Sequence, residues 1–156
     1  MIISVKGLKT KDQTGKEMHR VIDNYSRDLD TIFVRRNGKY IPFSSLPMNE
    51  AFDAVRKMPY RRDQVPTEVV ARPEIIFRNR PLGIDCKKKA ILISAYLKRR
   101  GIPYRLIASS RKRNRKIHHV YPQMNIAGVW HNMDATYNHY RAMEPKFTTK
   151  TEVLSR

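Results

Sequence analysis

Leu82-Gly-Ile-Asp-Cys-Lys-Lys-Lys-Ala-Ile-Leu-Ile-Ser-Ala-Tyr-Leu-Lys-Arg-Arg-Gly101 reads as one helix with a start signal, a stop signal and the chain's one cysteine in its first turn. Asp85 is the expected N-cap, because a carboxylate accepts hydrogen bonds from the exposed N–H groups of a first turn. Gly101 is expected just past the end, after Lys98, Arg99 and Arg100, whose charges suit the negative end of the dipole. Cys86, Ala90, Ile93 and Leu97 recur at steps of four, three and four, one stripe of a helix that faces an interior. Cys86 opens that stripe at the helix N-terminus, where the peptide dipoles favour a thiolate.

The rest of the chain bounds what this helix belongs to. At 156 residues, with 40 % hydrophobic and 29 % charged side chains, the sequence fits one globular domain with a real core. No apolar run reaches the roughly 18–20 residues of a membrane span. Met1-Ile2-Ile3-Ser4-Val5 is too short for a secretory signal, so a cytoplasmic or virion-associated protein is expected. One cysteine cannot make an internal disulfide, nor a zinc site with the scattered histidines. Charge is the extreme value: 32 Lys and Arg against 14 Asp and Glu give +18, which favours nucleic acid, anionic lipid or an acidic polymer as a partner. Five Lys and Arg concentrate in Ser109–Lys116, at Arg111, Lys112, Arg113, Arg115 and Lys116, in what reads as a solvated loop.

Taken in order, residues 1–6 suit a short strand, and Thr14–Ile22 a short helix with a capping-box pair at Thr14 and Glu17. Thr31–Phe43 carries a hairpin signal at Asn37-Gly38, where both central positions need positive φ. Ser45–Met58 reads as a helix stopped by Pro59. Pro59–Asp63 is a charged linker, and 66–80 a loop with one or two helical turns from Pro73. After the Cys86 helix, Ile102–Ala108, Ile117–Met124 and Val129–Asp134 read as strands, the last two joined near Asn125–Gly128. Residues 148–156 read as a loose tail. Helices followed by a sheet predict an α+β fold.

Cysteine catalysis needs a thiolate, a histidine that takes and returns a proton, and a group that orients the imidazole. The chain offers Cys86, His118-His119 and Asp134. If the hairpin loop is a two-residue one centred on Ile126-Ala127, His119 and Asp134 come directly opposite on one sheet face. A shift by one residue pair leaves them diagonal on that face, and an odd-sized loop separates them. His118 then points the other way. Taken singly, a lone cysteine is most often a small buried hydrophobe, and an Asp in this setting often begins a turn. The order and joint placement of the three raise them above that.

Gly83-x-Asp85-Cys86 followed by Ala90-Ile-Leu-x-x-Ala-Tyr-Leu-x-x-x-Gly-Ile-Pro103 resembles the nucleophile segment of the transglutaminase-like superfamily of papain-like cysteine enzymes. His119-Val-Tyr-x-Gln123 resembles its histidine strand, and Trp130-x-x-Met-Asp134-Ala-Thr-Tyr137 its Trp-x-x-hydrophobic-Asp-Pro-Thr strand. Pro59-Tyr-Arg-Arg-Asp63 and Arg72-Pro-Glu74 resemble the lead-in of bacterial and phage members. The likeness covers about residues 48–140, roughly 60 % of the chain. It implies a papain-like or transglutaminase-like core at 48–140, an N-terminal extension with the hairpin at 1–47, and a C-terminal tail at 141–156. There are departures: Lys87-Lys88-Lys89 follows the cysteine where the family has an acidic residue, and Ala135 replaces the usual proline.

The resemblance implies acyl transfer. Cys86 attacks an amide carbonyl of a protein or peptide, His119 protonates the leaving amine, Asp134 holds the imidazole, and water or a second amine releases the thioester. The Cys86 N–H is the natural oxyanion donor; Tyr60 and Asn79 are candidates for a second. Lys87, Tyr60, Tyr121 and Trp130 are the expected substrate-binding residues, and the three lysines are expected to favour the thiolate and attract acidic substrates. No metal or cofactor is called for, and no acidic calcium loop is present. The competing reading is a basic structural or nucleic-acid- or membrane-binding protein, a phage virion component for instance, on the same fold.

Overall fold

The computed structural model describes residues 2–4, 10–62 and 69–156; Asp63 of the charged linker and the start of the 66–80 loop lie outside them. Three elements precede the central helix on the N-terminal side of the hairpin: β1 (Ile2–Ser4), α1 (Lys11–Tyr25) and a 3-10 turn at Ser26–Asp30. Helix α1 is longer than the expected Thr14–Ile22, because its cap is Thr10, whose hydroxyl accepts from Gln13 N at 3.2 Å. The Asn37-Gly38 hairpin forms as β2 (Phe33–Arg36) and β3 (Lys39–Pro42), with φ of 51° and 77° at the two turn residues. Helix α2 (Met48–Arg56), strand β4 (Val69–Ala71), paired antiparallel with β1, and α3 (Pro73–Asn79) follow. Arg72 and Asp28 make a bidentate ion pair at 2.6 and 2.8 Å, and the same carboxylate accepts from Glu74 N, so one charge pins α3 to the 3-10 turn.

Helix α4 (Cys86–Arg99) starts and stops where its sequence signals stand. Asp85 is extended and accepts from Lys88 N at 3.0 Å. At the other end Gly101 has φ +71°; its N–H reaches Lys98 O and the N–H of Ile102 reaches Leu97 O. Those two bonds are the paired closure that a left-handed glycine allows, with Ile102 packed on the core that holds Leu97. Every residue from Lys89 to Leu97 is buried, so α4 is enclosed on all sides and not only along one stripe.

The sheet is antiparallel in the order β7-β6-β5-β8, from β5 (Tyr104–Ser110), β6 (His119–Ile126), β7 (Val129–Asn132) and β8 (Lys150–Leu154). Tyr104 pairs with Met124, Leu106 with Pro122 and Ala108 with Val120; of these alternate residues Tyr104, Leu106, Ala108, Val120 and Met124 belong to the core that also holds the side chains of α4. The fold is therefore α+β, with the cysteine helix packed on an antiparallel sheet, as the order of elements predicts. Residues 148–156 are not a loose tail. Strand β8 pairs with β5, Leu154 is buried, and its carbonyl meets His19 Nε2 at 3.1 Å. Gly15 of α1 lets that strand approach: a Cβ there would stand 3.0 Å from Leu154 Cβ. Among the described residues no helix is long and apolar enough to cross a membrane.

Candidate active site

The hairpin between β6 and β7 turns on Ala127 and Gly128, both at positive φ, rather than on Ile126-Ala127. Gln123 pairs with Asn132, so the same register carried past the end of β7 sets Asp134 opposite Tyr121 and diagonal to His119. The two side chains share a face, the outcome expected for a loop shifted by one residue pair. His119 Nε2 and Asp134 Oδ2 are 2.6 Å apart. His119 and Cys86 line one cleft, near enough that the Cys86 side chain acts on the titration of the imidazole. His118 also lines that cleft, but its Nε2 is taken up in accepting from Arg111 N at 3.0 Å.

Burial alone would lower the His119 pKa. Its bond with Asp134, its interaction with the nearby Cys86 side chain and the Asp134 charge outweigh burial and raise it to about 9. Asp134 is 2 % exposed, which by itself would push its pKa up; the His119 bond, the His119 charge and the Lys146 ammonium hold it at about 2. At neutral pH the arrangement is a buried carboxylate beside an imidazolium.

Two residues that sequence reasoning passed over complete this cluster. Thr136 donates to Asp134 Oδ1 from its backbone N–H, at 3.1 Å, and from its hydroxyl. Lys146, in the irregular segment before β8, reaches Asp134 Oδ2 at 2.8 Å with a side chain only 12 % exposed. Thr136 had a signal, standing two residues after a turn-forming Asp; Lys146 had none.

The lysines after the cysteine are not three equivalent surface charges. Lys87 pairs with the Asp85 carboxylate and lines the cleft in front of Cys86. Lys88 lies on a separate cavity with Asn79 and Gly83, so Asn79, a candidate oxyanion donor, is placed there and not among the cleft residues. Lys89 is 1 % exposed, and its ammonium donates to the carbonyls of Arg56, Met58 and Thr136 at 3.1, 2.7 and 2.8 Å. Three residues on from Cys86, position 89 faces inward, so the expectation that it tunes the thiolate from solvent or draws in substrate is corrected.

The cleft has a volume of about 570 Å³. Cys86, Lys87 and His119 line it, α1 contributes Lys11 and Met18 with its cap Thr10, and Lys150 comes from β8. Arg115 and Lys116 close it from the exposed basic loop, whose Arg111, Lys112 and Arg113 are also exposed. Tyr60, expected to bind substrate, is not among the cleft residues; its backbone bridges Ile84, two residues before the cysteine, burial first and then Cys86 push its phenol pKa up, and its ring lies 4.9 Å from that of Tyr137. Tyr121 and Trp130, expected to bind substrate, are not among the cleft residues. Tyr121 is buried with its ring 5.7 Å from His119, and Trp130, at the turn end of the hairpin, lies under the Arg105 guanidinium at 4.3 Å. Inward packing on the sheet claims the first, and the cation–π contact the second. Among the described residues no group of three or more His, Cys, Asp or Glu is placed to hold a metal ion.

No family model and no curated protein matches this chain. Among solved structures it is similar to a Cytophaga hutchinsonii protein provisionally assigned as a cysteine protease, at 14 % identity and a TM-score of 0.46, over 90 % of this chain and 50 % of that one. The chain thus spans about half the length of that protein.

Proposed function

We propose that the protein is a cysteine-dependent acyl-transfer enzyme of the transglutaminase-like kind, a peptidase, amidase or cross-linking enzyme, with Cys86, His119 and Asp134 as its catalytic residues. The observation that carries the reading is an imidazole that bonds a buried carboxylate through Nε2 and lines the same cleft as the cysteine at the start of α4. Nε2 being taken by Asp134, Nδ1 is the nitrogen left for sulfur. The imidazolium protonates the leaving amine as the Cys86 sulfur bonds the carbonyl carbon, and the C–N bond breaks with its electron pair on nitrogen. Water or a second amine, deprotonated by the now neutral His119, releases the thioester. Asp134 keeps the ring in one tautomer. The Cys86 N–H, unpaired within its own helix as any first-turn donor is, supports the oxyanion, and Tyr60 is the nearby hydroxyl that can add to it.

Arg115 and Lys116 on the cleft, beside Lys11 and Lys150, which share Glu152, and Lys87, which pairs with Asp85, favour an acyl donor that carries negative charge, such as an acidic peptide. The exposed Arg111–Lys116 loop and the +18 total also favour a polyanion contact beside the chemistry, as the competing binding-protein reading expects. It predicts DNA or anionic-vesicle affinity that falls steeply with salt.

Iodoacetamide tests the catalytic reading. Cys86 is expected to alkylate readily at pH 6–7, and His119→Gln to slow this by at least about tenfold, because the imidazolium is the partner of the reacting thiolate. A wild-type Cys86 that resists the reagent, or one indifferent to His119→Gln, removes the proposal's main support.

A further inference from the structure

We propose that Lys146 is a positioning residue for this site: its ammonium keeps the Asp134 carboxylate charged and oriented while His119 gives up and recovers its proton. The inference rests on the acyl-transfer reading and concerns a residue 12 positions beyond the aspartate, in a stretch with no secondary structure.

Geometry comes first. Lys146 Nζ and His119 Nε2 meet the same oxygen, Asp134 Oδ2, at 2.8 and 2.6 Å, while Thr136 occupies Oδ1. The ammonium is held from the other side by aromatic faces, 4.0 Å from the Tyr140 ring centroid and 5.3 Å from that of Tyr121. A lysine fixed between a carboxylate and two rings, with its side chain 12 % exposed, is a seated group.

Charge explains why the seat matters. Before His119 gives up its proton, an imidazolium faces the Asp134 carboxylate. When His119 delivers its proton to the leaving nitrogen, the imidazole becomes neutral, and Asp134 at 2 % exposure loses that counter-charge. An unpaired buried carboxylate is costly, so without another cation the imidazolium would hold its proton harder. Lys146 supplies a cation that does not leave with the proton. The other titratable groups around His119 are Cys86, His118 and Tyr121. Around Lys146 stand Tyr140, the exposed Arg111 and Glu144. None of these brings a second ammonium or guanidinium onto Asp134 Oδ2, and Lys89 spends its hydrogen bonds on three carbonyls.

The test compares Lys146→Met, Lys146→Gln, which keeps a donor without the charge, and Lys146→Arg. In a Cys86→Ala background, where no thiol co-titrates, NMR titration of the His119 ring is expected to show a higher midpoint with Met or Gln at 146, restored by Arg. In the otherwise native chain, turnover of a glutamyl peptide amide is expected to fall roughly tenfold in Lys146→Met, while the p-nitrophenyl ester of the same acyl group falls less than about twofold, because nitrophenolate leaves without a proton. If Lys146→Met does not fold, Lys146→Gln decides alone. A His119 midpoint that does not move, or equal losses on amide and ester, overturns the proposal. A wild-type chain that turns over neither substrate counts against the acyl-transfer reading itself, and the His119 midpoint still decides the role of Lys146.

Discussion

Lys89 and Lys146 both bring an ammonium group to the segment after β7, and they are received in opposite ways. The Lys89 ammonium is ringed by three backbone carbonyls, those of Arg56, Met58 and Thr136. Lys146 meets a full carboxylate and two aromatic faces. Carbonyl dipoles satisfy the hydrogen bonds of Lys89 but replace its hydration less completely than an anion would, and burial lowers its pKa to about 8, with Asp134 opposing only in part. Two residues of one type thus divide the work. Lys89 ties α4 to the end of α2 and to Thr136, the residue that itself holds Asp134, whereas Lys146 adjusts the charge on Asp134.

If that division is right, the larger effect on folding belongs to Lys89. Lys89→Met keeps most of the volume and removes all three donors. Buried carbonyls left without partners cost about 1–3 kcal/mol each, so a total of about 3–5 kcal/mol is expected after partial relaxation. For a chain of this size that lowers Tm by on the order of 10 °C. Thermal or urea unfolding checks it, and a Tm within about 2 °C of wild type would mean that the carbonyl ring is not what secures the loop.

The second effect separates the two lysines. Asp134→Asn removes the anion and leaves Lys146 as a cation without its partner, which is expected to cost about 3 kcal/mol. Asp134→Asn combined with Lys146→Met is expected to recover most of that stability and none of the turnover, because the orienting carboxylate is still missing. Adding Lys89→Met to either variant is expected to cost less than it costs alone, because Lys89 shares Thr136 with Asp134 and is favoured by its charge. Equal losses in the single and double variants would show that Lys146 is not charged against Asp134 in the folded chain.

These residues also mark how far the sequence could be read. The ends of α4 were legible because one residue each, Asp85 and Gly101, decides a cap through its own chemistry. The face shared by His119 and Asp134 was legible up to the parity of the turn. Its position was not, because Gly128 accepts positive φ freely and draws the turn one residue onward, leaving Ala127 to adopt it as well. Lys89 was misread for a different reason. Its spacing from Cys86 and Ile93 placed it inward, but the last of three consecutive lysines reads as solvent-facing until α2 and Thr136 are known to supply acceptors. Strand β8 alternates weakly, with Leu154 its one buried side chain, and Lys146 lies in a stretch without a period. Both are fixed by long-range contacts, with β5 and His19 in one case and Asp134 in the other, that no local pattern encodes.

The smallest effect is the pH dependence of stability, and it sets the two regions against each other. His119 has a folded pKa of about 9, above its ordinary value near 6.5, so its contribution is fully present below that value and is lost as pH rises through 9. Lys89 has a folded pKa of about 8, below its ordinary value near 10.4; above pH 8 the unfolded chain binds the proton that the folded chain has released, and stability rises with pH. Each slope is at most about 1.4 kcal/mol per pH unit for one proton. Wild type is therefore expected to lose stability from pH 6.5 to 8 and to level off between 8 and 9.5, where the two contributions oppose. His119→Gln is expected to abolish the early loss and leave a rise above pH 8. Lys89→Met is expected to remove the levelling, so that its deficit against wild type widens between pH 8 and 9.5. Urea midpoints measured at half-unit steps over this range suffice. A deficit that stays constant would mean that Lys89 keeps its proton throughout, and that three carbonyls hold an ammonium as firmly as the Asp134 carboxylate holds its partner.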